Sequence, residues 1–210
     1  MKNVFIFGDS YSAFEGWVPE GHELHYYIGR EECDVKTVED MWWYPLLPEI
    51  GGSLVLNDSW SGSTIGYTGY FNADCSETNS FIYRFERHLK NGFFEKNKID
   101  TMFVLGGTND SWCGAEKGEM MYENHTKEDL FKVLPAICYF FKRVSEELKD
   151  TKIVCIINSE LDPVTTDGLK TAAERYGAQV IQLHDIDKFN SHPTALGMKA
   201  IKDQVLEALR

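Results

Sequence analysis

Val4-Phe5-Ile6-Phe7-Gly8-Asp9-Ser10-Tyr11-Ser12, close to the N-terminus, decides the reading of the whole chain. Four apolar residues run without a polar break, the pattern of a strand buried on both faces of a parallel sheet. Gly8 ends the run and permits a tight turn. Ser10 therefore falls at the C-terminal end of a strand, where open α/β sheets carry their chemistry. A serine in that place is a candidate nucleophile if a base, an orienting group and oxyanion donors reach it from elsewhere.

Further along, apolar runs and helical patterns alternate. Leu54-Val55-Leu56 reads as a second strand followed by a polar, glycine-bearing loop from Asn57 to Thr64, Thr101 to Leu105 as a third strand, Ile153 to Ile157 as a fourth and Gln179 to Leu183 as a fifth. Between them, helices are expected from Met41 to Leu47, near Asn79 to Lys90, from Thr126 to Leu148 with a kink at Pro135, and from Pro163 to Tyr176. A last helix is expected to open near Pro193, since proline suits a first turn. This alternation implies a parallel sheet with helices on both faces, a three-layer α/β/α sandwich, with the five strands taken in the doubly wound order 2-1-3-4-5. The 210 residues are expected to form one domain, residues 1–210, with an inserted loop at about residues 14–40. That insertion carries Trp17, His22, His25, Tyr26 and Tyr27 and lies over the face bearing Ser10, as a lid or substrate wall or as a loop packing its own aromatics.

Composition excludes several classes. The net charge of -12 argues against nucleic-acid binding and against docking on an anionic membrane. No apolar run approaches a membrane span, and the N-terminus has no secretory pattern, so a cytoplasmic location is expected. Five cysteines without Cys-x-x-Cys spacing read as reduced thiols. His22 and His25 lie in a glycine-broken segment with no further ligand at a fixed spacing, so no metal site is expected, and acyl transfer through a serine nucleophile calls for no organic cofactor.

The polar candidates all follow strands. Ser10 follows the first strand, Gly62 the second, Asn109 the third and His192 the fifth. In a parallel sheet these loops share one edge, and the switch point between strands 1 and 3 is flanked by Ser10 and Asn109. His192 suits the base, because imidazole titrates near neutral pH. The backbone N–H groups of Ser10 and Gly62 and the side-chain amide of Asn109 are donors of the kind an oxyanion needs. Trp60 and Trp112 adjoin these loops and are candidate substrate walls, whereas Trp42 and Trp43 are expected in the core. Asp9 and Asp110 are expected to bond loop amides.

In these four places the chain resembles the SGNH hydrolase superfamily, the GDSL esterases and lipases. Gly8-Asp9-Ser10 matches the nucleophile block, Ser61-Gly62 the oxyanion glycine, Gly107-Thr108-Asn109-Asp110 the oxyanion asparagine, and His192-Pro193-Thr194-Ala195-Leu196-Gly197 the base. The resemblance implies a flavodoxin-like α/β/α fold and a serine esterase acting on small carboxylic esters, O-acetyl groups on carbohydrates among them. One position departs. The family usually places an aspartate three residues before the histidine, and here that residue is Phe189. Either Asp187 orients the imidazole, or a backbone carbonyl near Asn190 does so in a Ser–His dyad. An acyltransferase of the same fold and a non-catalytic carbohydrate-binding or other ligand-binding module are the rival readings, the second because of Phe189.

Overall fold

In a computed structural model describing all 210 residues, the Val4–Phe7 run is fully buried at the centre of a five-stranded parallel sheet. The elements are β1 (Lys2–Gly8), α1 (Trp43–Glu49), β2 (Gly52–Ser59), α2 (Phe81–Lys90), α3 (Phe93–Lys96), β3 (Thr101–Leu105), α4 (Thr108–Trp112), α5 (Val133–Glu147), β4 (Lys152–Ile157), α6 (Pro163–Arg175), β5 (Gln179–Gln182), the two-residue strands β6 (Lys188–Phe189) and β7 (His192–Pro193), and α7 (Ala195–Leu209). The order β2-β1-β3-β4-β5 is the one expected, and β6 and β7 form a separate antiparallel pair.

Alternation within each strand divides the core. Phe5, Phe7, Met102, Val104 and Cys155 pack against α2, α5 and α6. Val4, Ile6, Phe103, Val154 and Ile156 pack against α1 and α7. Each face of the sheet thus buries its own apolar layer, and burial of this kind contributes about 25 cal/mol per Å² of apolar surface. Register sets the height of the catalytic edge. Gly8 of β1 is level with Ser59 of β2 and with Leu105 of β3, so the loops bearing Ser10, Gly62 and Asn109 all leave the sheet at one level.

Four local expectations are corrected. The second strand runs on through Asn57, Asp58 and Ser59, which are polar yet fully buried and not part of a loop. The helix expected from Thr126 starts at Val133. Asp129 does accept from the Thr126 backbone N–H at 2.9 Å, but that cap closes only a 3-10 turn, after which Lys132 is extended. Pro135 consequently falls in the first turn of α5, where the absent N–H costs nothing and no kink arises. The last helix opens at Ala195, capped by the Thr194 hydroxyl, because His192-Pro193 belongs to the hairpin.

That hairpin turns through Asn190 and Ser191, both with positive φ (47° and 64°), as a two-residue type I′ connection requires. Its root is pressed against α7. A Cβ on Gly197 would lie 2.1 Å from the Asp187 carbonyl oxygen, an atom of rigid backbone. Gly197→Ala is therefore expected to force the first turn of α7 off the hairpin and to cost about 1–3 kcal/mol, read as a lower urea midpoint with unchanged slope.

Candidate active site

The site begins with the turn after β1. Asp9 is fully buried and caps that turn, its Oδ1 accepting the Tyr11 backbone N–H at 3.0 Å. Burial outweighs this bond and one to Thr108, and pushes the carboxyl up to about 7. Ser10 projects from the turn. Its Oγ is 3.1 Å from Nε2 of His192, across 182 residues of sequence. The His192 Nδ1 faces the Asn190 carbonyl at 3.1 Å. With that carbonyl as acceptor, Nδ1 carries the proton and Nε2 is left free to accept from the serine.

Asp187 is not placed on the imidazole. Its Oδ2 accepts a short hydrogen bond from the Thr194 hydroxyl, and its carbonyl accepts the Thr194 N–H at 3.1 Å. The reason is the hairpin: Phe189 pairs directly across from His192, and Asp187 falls behind it at the foot of α7. The contact the structure gives Nδ1 is the Asn190 carbonyl, in the turn itself.

The donor side is built by the other two loops. Gly62 has φ of +78°, and a side chain there would meet nothing within 4 Å, so the space before its amide is open. Neither the Ser10 nor the Gly62 backbone N–H is hydrogen-bonded within the chain. Asn109 donates from Nδ2 to the Ser63 carbonyl at 2.8 Å, and its Oδ1 accepts from the Tyr70 hydroxyl at 2.9 Å. Tyr70 thereby turns the amide so that nitrogen, with one hydrogen to spare, faces the Gly62 loop. Asp110 is buried and ties the same loop down by accepting the N–H groups of Ile65 (2.9 Å) and Gly66 (3.2 Å). Burial still raises its carboxyl to about 6.

Beneath both loops lies Arg84 of α2, fully buried between the Phe7 and Phe81 rings. Its guanidinium donates to the carbonyls of Asp58, Gly8 (3.2 Å) and Asn79 (2.9 Å) and to the Ser63 hydroxyl (3.2 Å). It also pairs with the Asp58 carboxylate at 3.2 Å, which accepts from His88 at 2.7 Å on its other oxygen. Burial opposes ionisation of Asp58, but Arg84 and His88 outweigh it and hold the carboxyl well below the usual range.

The inserted loop closes the site from outside. Its Glu23 carbonyl accepts the Ser61 N–H at 2.9 Å, and His22 stacks on Trp60 with centroids 4.1 Å apart. Two residues on, His25 stacks on His192, and the Tyr26 hydroxyl donates to the Pro193 carbonyl at 2.7 Å. The segment is thus a wall packed onto both halves of the site. His22 and His25 face different partners, and no group of three or more His, Cys, Asp or Glu side chains is arranged to hold a metal ion. A cavity of about 300 Å³ opens beside His192, between Arg30 and Cys33 of the insertion and Phe189 and Asn190 of the hairpin. Trp60 and Trp112 do not line it. Trp60 is held by His22, and Trp112 projects from the end of α4, 38% exposed. Trp42 and Trp43 are core residues whose indole N–H groups bond Ser12.

Sequence reasoning passed over Arg84, Tyr70 and the stacking of His25 on His192. Arg84 is off the apolar face expected for α2 and gives no hydrophobic signal. Tyr70 lies in a short 3-10 turn. The hairpin itself was announced only by Asn190, a residue that tolerates positive φ.

The Ser10–His192 pair lies at the switch point of a doubly wound sheet, the place where open α/β sheets bind their ligands. The chain belongs to the GDSL-like lipase/acylhydrolase family, whose pattern matches residues 2–209. It is similar to the crystal structure of a GDSL-like lipase candidate from Bacteroides uniformis, at 41% identity and a TM-score of 0.90, over 99% of this chain and 95% of that one. A second such candidate, from Bacteroides ovatus, is 35% identical with a TM-score of 0.91, over 100% of this chain and 98% of that one. An acetyl xylan esterase from Butyrivibrio proteoclasticus shares the fold at 14% identity and a TM-score of 0.62, with 100% of this chain on 63% of its length. Comparison with curated proteins finds no match. The protein is accordingly an enzyme that hydrolyses esters. No helix is long and apolar enough to cross a membrane.

Removing one partner of a buried ion pair strands the other charge. Arg84→Ala is expected to destabilise the fold by about 3–5 kcal/mol, measured by urea unfolding. Arg84→Lys should recover only a small part, because a single ammonium cannot reach four acceptors in different directions.

Proposed function

We propose that the protein is a serine esterase acting on small carboxylic esters through an acyl-enzyme on Ser10, with O-acetyl groups on carbohydrates among its substrates. The observation that carries this reading is the 3.1 Å contact between Ser10 Oγ and His192 Nε2. In acylation, Ser10 Oγ attacks the ester carbonyl carbon as its proton passes to Nε2. The imidazolium keeps Nδ1–H on the Asn190 carbonyl. The oxyanion accepts from the N–H groups of Ser10 and Gly62 and from the spare hydrogen of Asn109 Nδ2, each donor worth about 2.7–4 kcal/mol in the transition state. Collapse breaks the bond to the alcohol oxygen, which leaves with the proton from Nε2. Water then attacks the acyl carbon, Nε2 takes its proton, and Ser10 is released with that proton restored.

One feature supports a small alcohol: the cavity beside His192 is about 300 Å³, at the lower end of the range for small-molecule sites, with Arg30, Asp34, Asn190 and Thr194 among its lining residues. Asp187 has no part in the reaction; it anchors the hairpin through Thr194.

With p-nitrophenyl acetate, Ser10→Ala and His192→Ala are expected to abolish p-nitrophenol release. Asp187→Asn should stay within several-fold of the wild type, since an amide oxygen still accepts from Thr194. A loss near 10⁴-fold, the cost of losing a triad carboxylate, would show instead that Asp187 orients the base.

The pH profile follows from the setting of His192. Burial, and secondarily the Arg30 charge, lower its pKa against the pull of the Asn190 carbonyl. A base is active when neutral, and a lowered pKa keeps it neutral to more acid pH. The acid limb of kcat/KM is expected below the ordinary imidazole range; a limb above it would contradict this setting.

A further inference from the structure

The inserted loop delivers one side chain to the base whose presence the ester chemistry alone does not explain. The His25 and His192 rings lie face to face, with centroids 3.3 Å apart and planes within 5°. Neither His25 ring nitrogen is hydrogen-bonded within the chain, so this imidazole is not held there by polar contacts. It is held by its backbone. The Arg30 guanidinium donates to the His25 carbonyl, the Tyr26 hydroxyl donates to Pro193, and Phe14 bridges to Tyr26. The ring therefore covers one face of His192 from a braced position.

We infer that His25 is a positioning residue for the base, a stacked neutral imidazole that holds the plane of His192 and offers its π face to the imidazolium formed when Ser10 gives up its proton. This rests on the serine-esterase reading, and it addresses what the missing carboxylate leaves undone. An aspartate at Nδ1 would both fix the ring and stabilise its positive form. The Asn190 carbonyl does the first weakly and carries only a dipole for the second. A π face brought against a cation supplies the rest without a second charge. The role requires His25 to stay neutral while His192 is charged. Burial, then His192, then Arg30 push its pKa down to about 3, so it remains neutral through the catalytic cycle. The proton transferred from Ser10 Oγ resides on His192 Nε2 throughout and never reaches His25.

Other titratable or charged groups face this pair. Tyr11 comes from the β1 turn, with its ring 5.6 Å from His192, and Tyr26 comes from the insertion at 6.3 Å. Arg30, Glu32, Cys33 and Asp34 line the adjoining cavity. All are untouched in variants at position 25, so a difference between an aromatic and an aliphatic replacement reads the π face itself.

The test compares His25→Leu with His25→Phe, both checked for an unchanged melting temperature. With p-nitrophenyl acetate, the leucine variant is expected to lose about tenfold in kcat with KM unchanged, the effect of one cation–π contact of ordinary size. The phenylalanine variant, which stacks and does not titrate, should recover most of it. Equal kcat in leucine variant and wild type, or no recovery with phenylalanine, overturns the proposal. A second arm needs no turnover. The His192 ring is titrated by NMR in Ser10→Ala backgrounds, and its pKa is expected to be higher with phenylalanine at position 25 than with leucine. Identical pKa values would overturn the stacking role. Because this arm reads the imidazolium directly, it still decides the matter if the wild type releases no p-nitrophenol, an outcome that would count against the esterase reading alone.

Discussion

A guanidinium with no access to water, pressed between two phenyl rings, is the constraint on which the catalytic edge depends. Gly8 and Asp58, at the ends of β1 and β2, are buried, and buried carbonyls need donors. Arg84 supplies them from one planar fork, reaching Gly8, Asp58 and Asn79 and the Ser63 hydroxyl together. Its desolvation is offset by the Asp58 carboxylate, which is itself completed by His88. The effect is to lock the serine turn and the Gly62 loop to a single point beneath them. In the proposed mechanism, donor groups aimed at a developing oxyanion act only if they need not reorganise, and a buried ionic anchor under these loops serves that need whatever its net worth against an apolar replacement.

The proposed base is held on other terms. Its hairpin carries one ion pair, at the surface, where Lys188 reaches the exposed Glu160 carboxylate at 3.1 Å and also donates to the Ser159 carbonyl and hydroxyl. It is further secured by the Tyr11 hydroxyl on the Ser191 carbonyl (2.5 Å), the Tyr26 hydroxyl on Pro193 and the close approach of Gly197 to Asp187. The contacts nearest His192 are neutral, and its Nδ1 meets only a carbonyl. The two halves of the site therefore differ in kind. The donor half is stiffened by charge, and the base half is tuned by burial. A hairpin of four paired residues is a slight support for a catalytic group, which is why so many side chains from other elements converge on its turn.

How much of this could be read from the chain depends on the kind of signal each part leaves. The sheet was legible because Val4–Phe7, Thr101–Leu105 and Ile153–Ile157 are apolar on both faces. Ser10, Gly62, Asn109 and His192 were legible because each follows a strand in a short block of distinctive composition. Asn57, Asp58 and Ser59 were misplaced, since buried polar residues inside a strand break the pattern by which strands are found. The same blindness hid Arg84, whose burial depends on a partner 26 residues away. The hairpin went unseen for two reasons: two-residue strands have no periodicity, and a proline beside a helical run invites a helix start. Contacts such as His25 on His192 depend on how a long loop returns to the sheet, which no local pattern records.

That loop explains how one segment can influence the whole site. Between residues 22 and 26 it touches both the loop at the end of β2, through His22 on Trp60 and Glu23 on Ser61, and the base hairpin, through His25 and Tyr26. It also forms one wall of the cavity beside His192. Under the proposed function, a change that reshapes the wall to admit a different alcohol also shifts the ring that covers the base. Specificity and reactivity are then not separable properties of different residues, because the same braced backbone carries both the cavity wall and the ring stacked on His192.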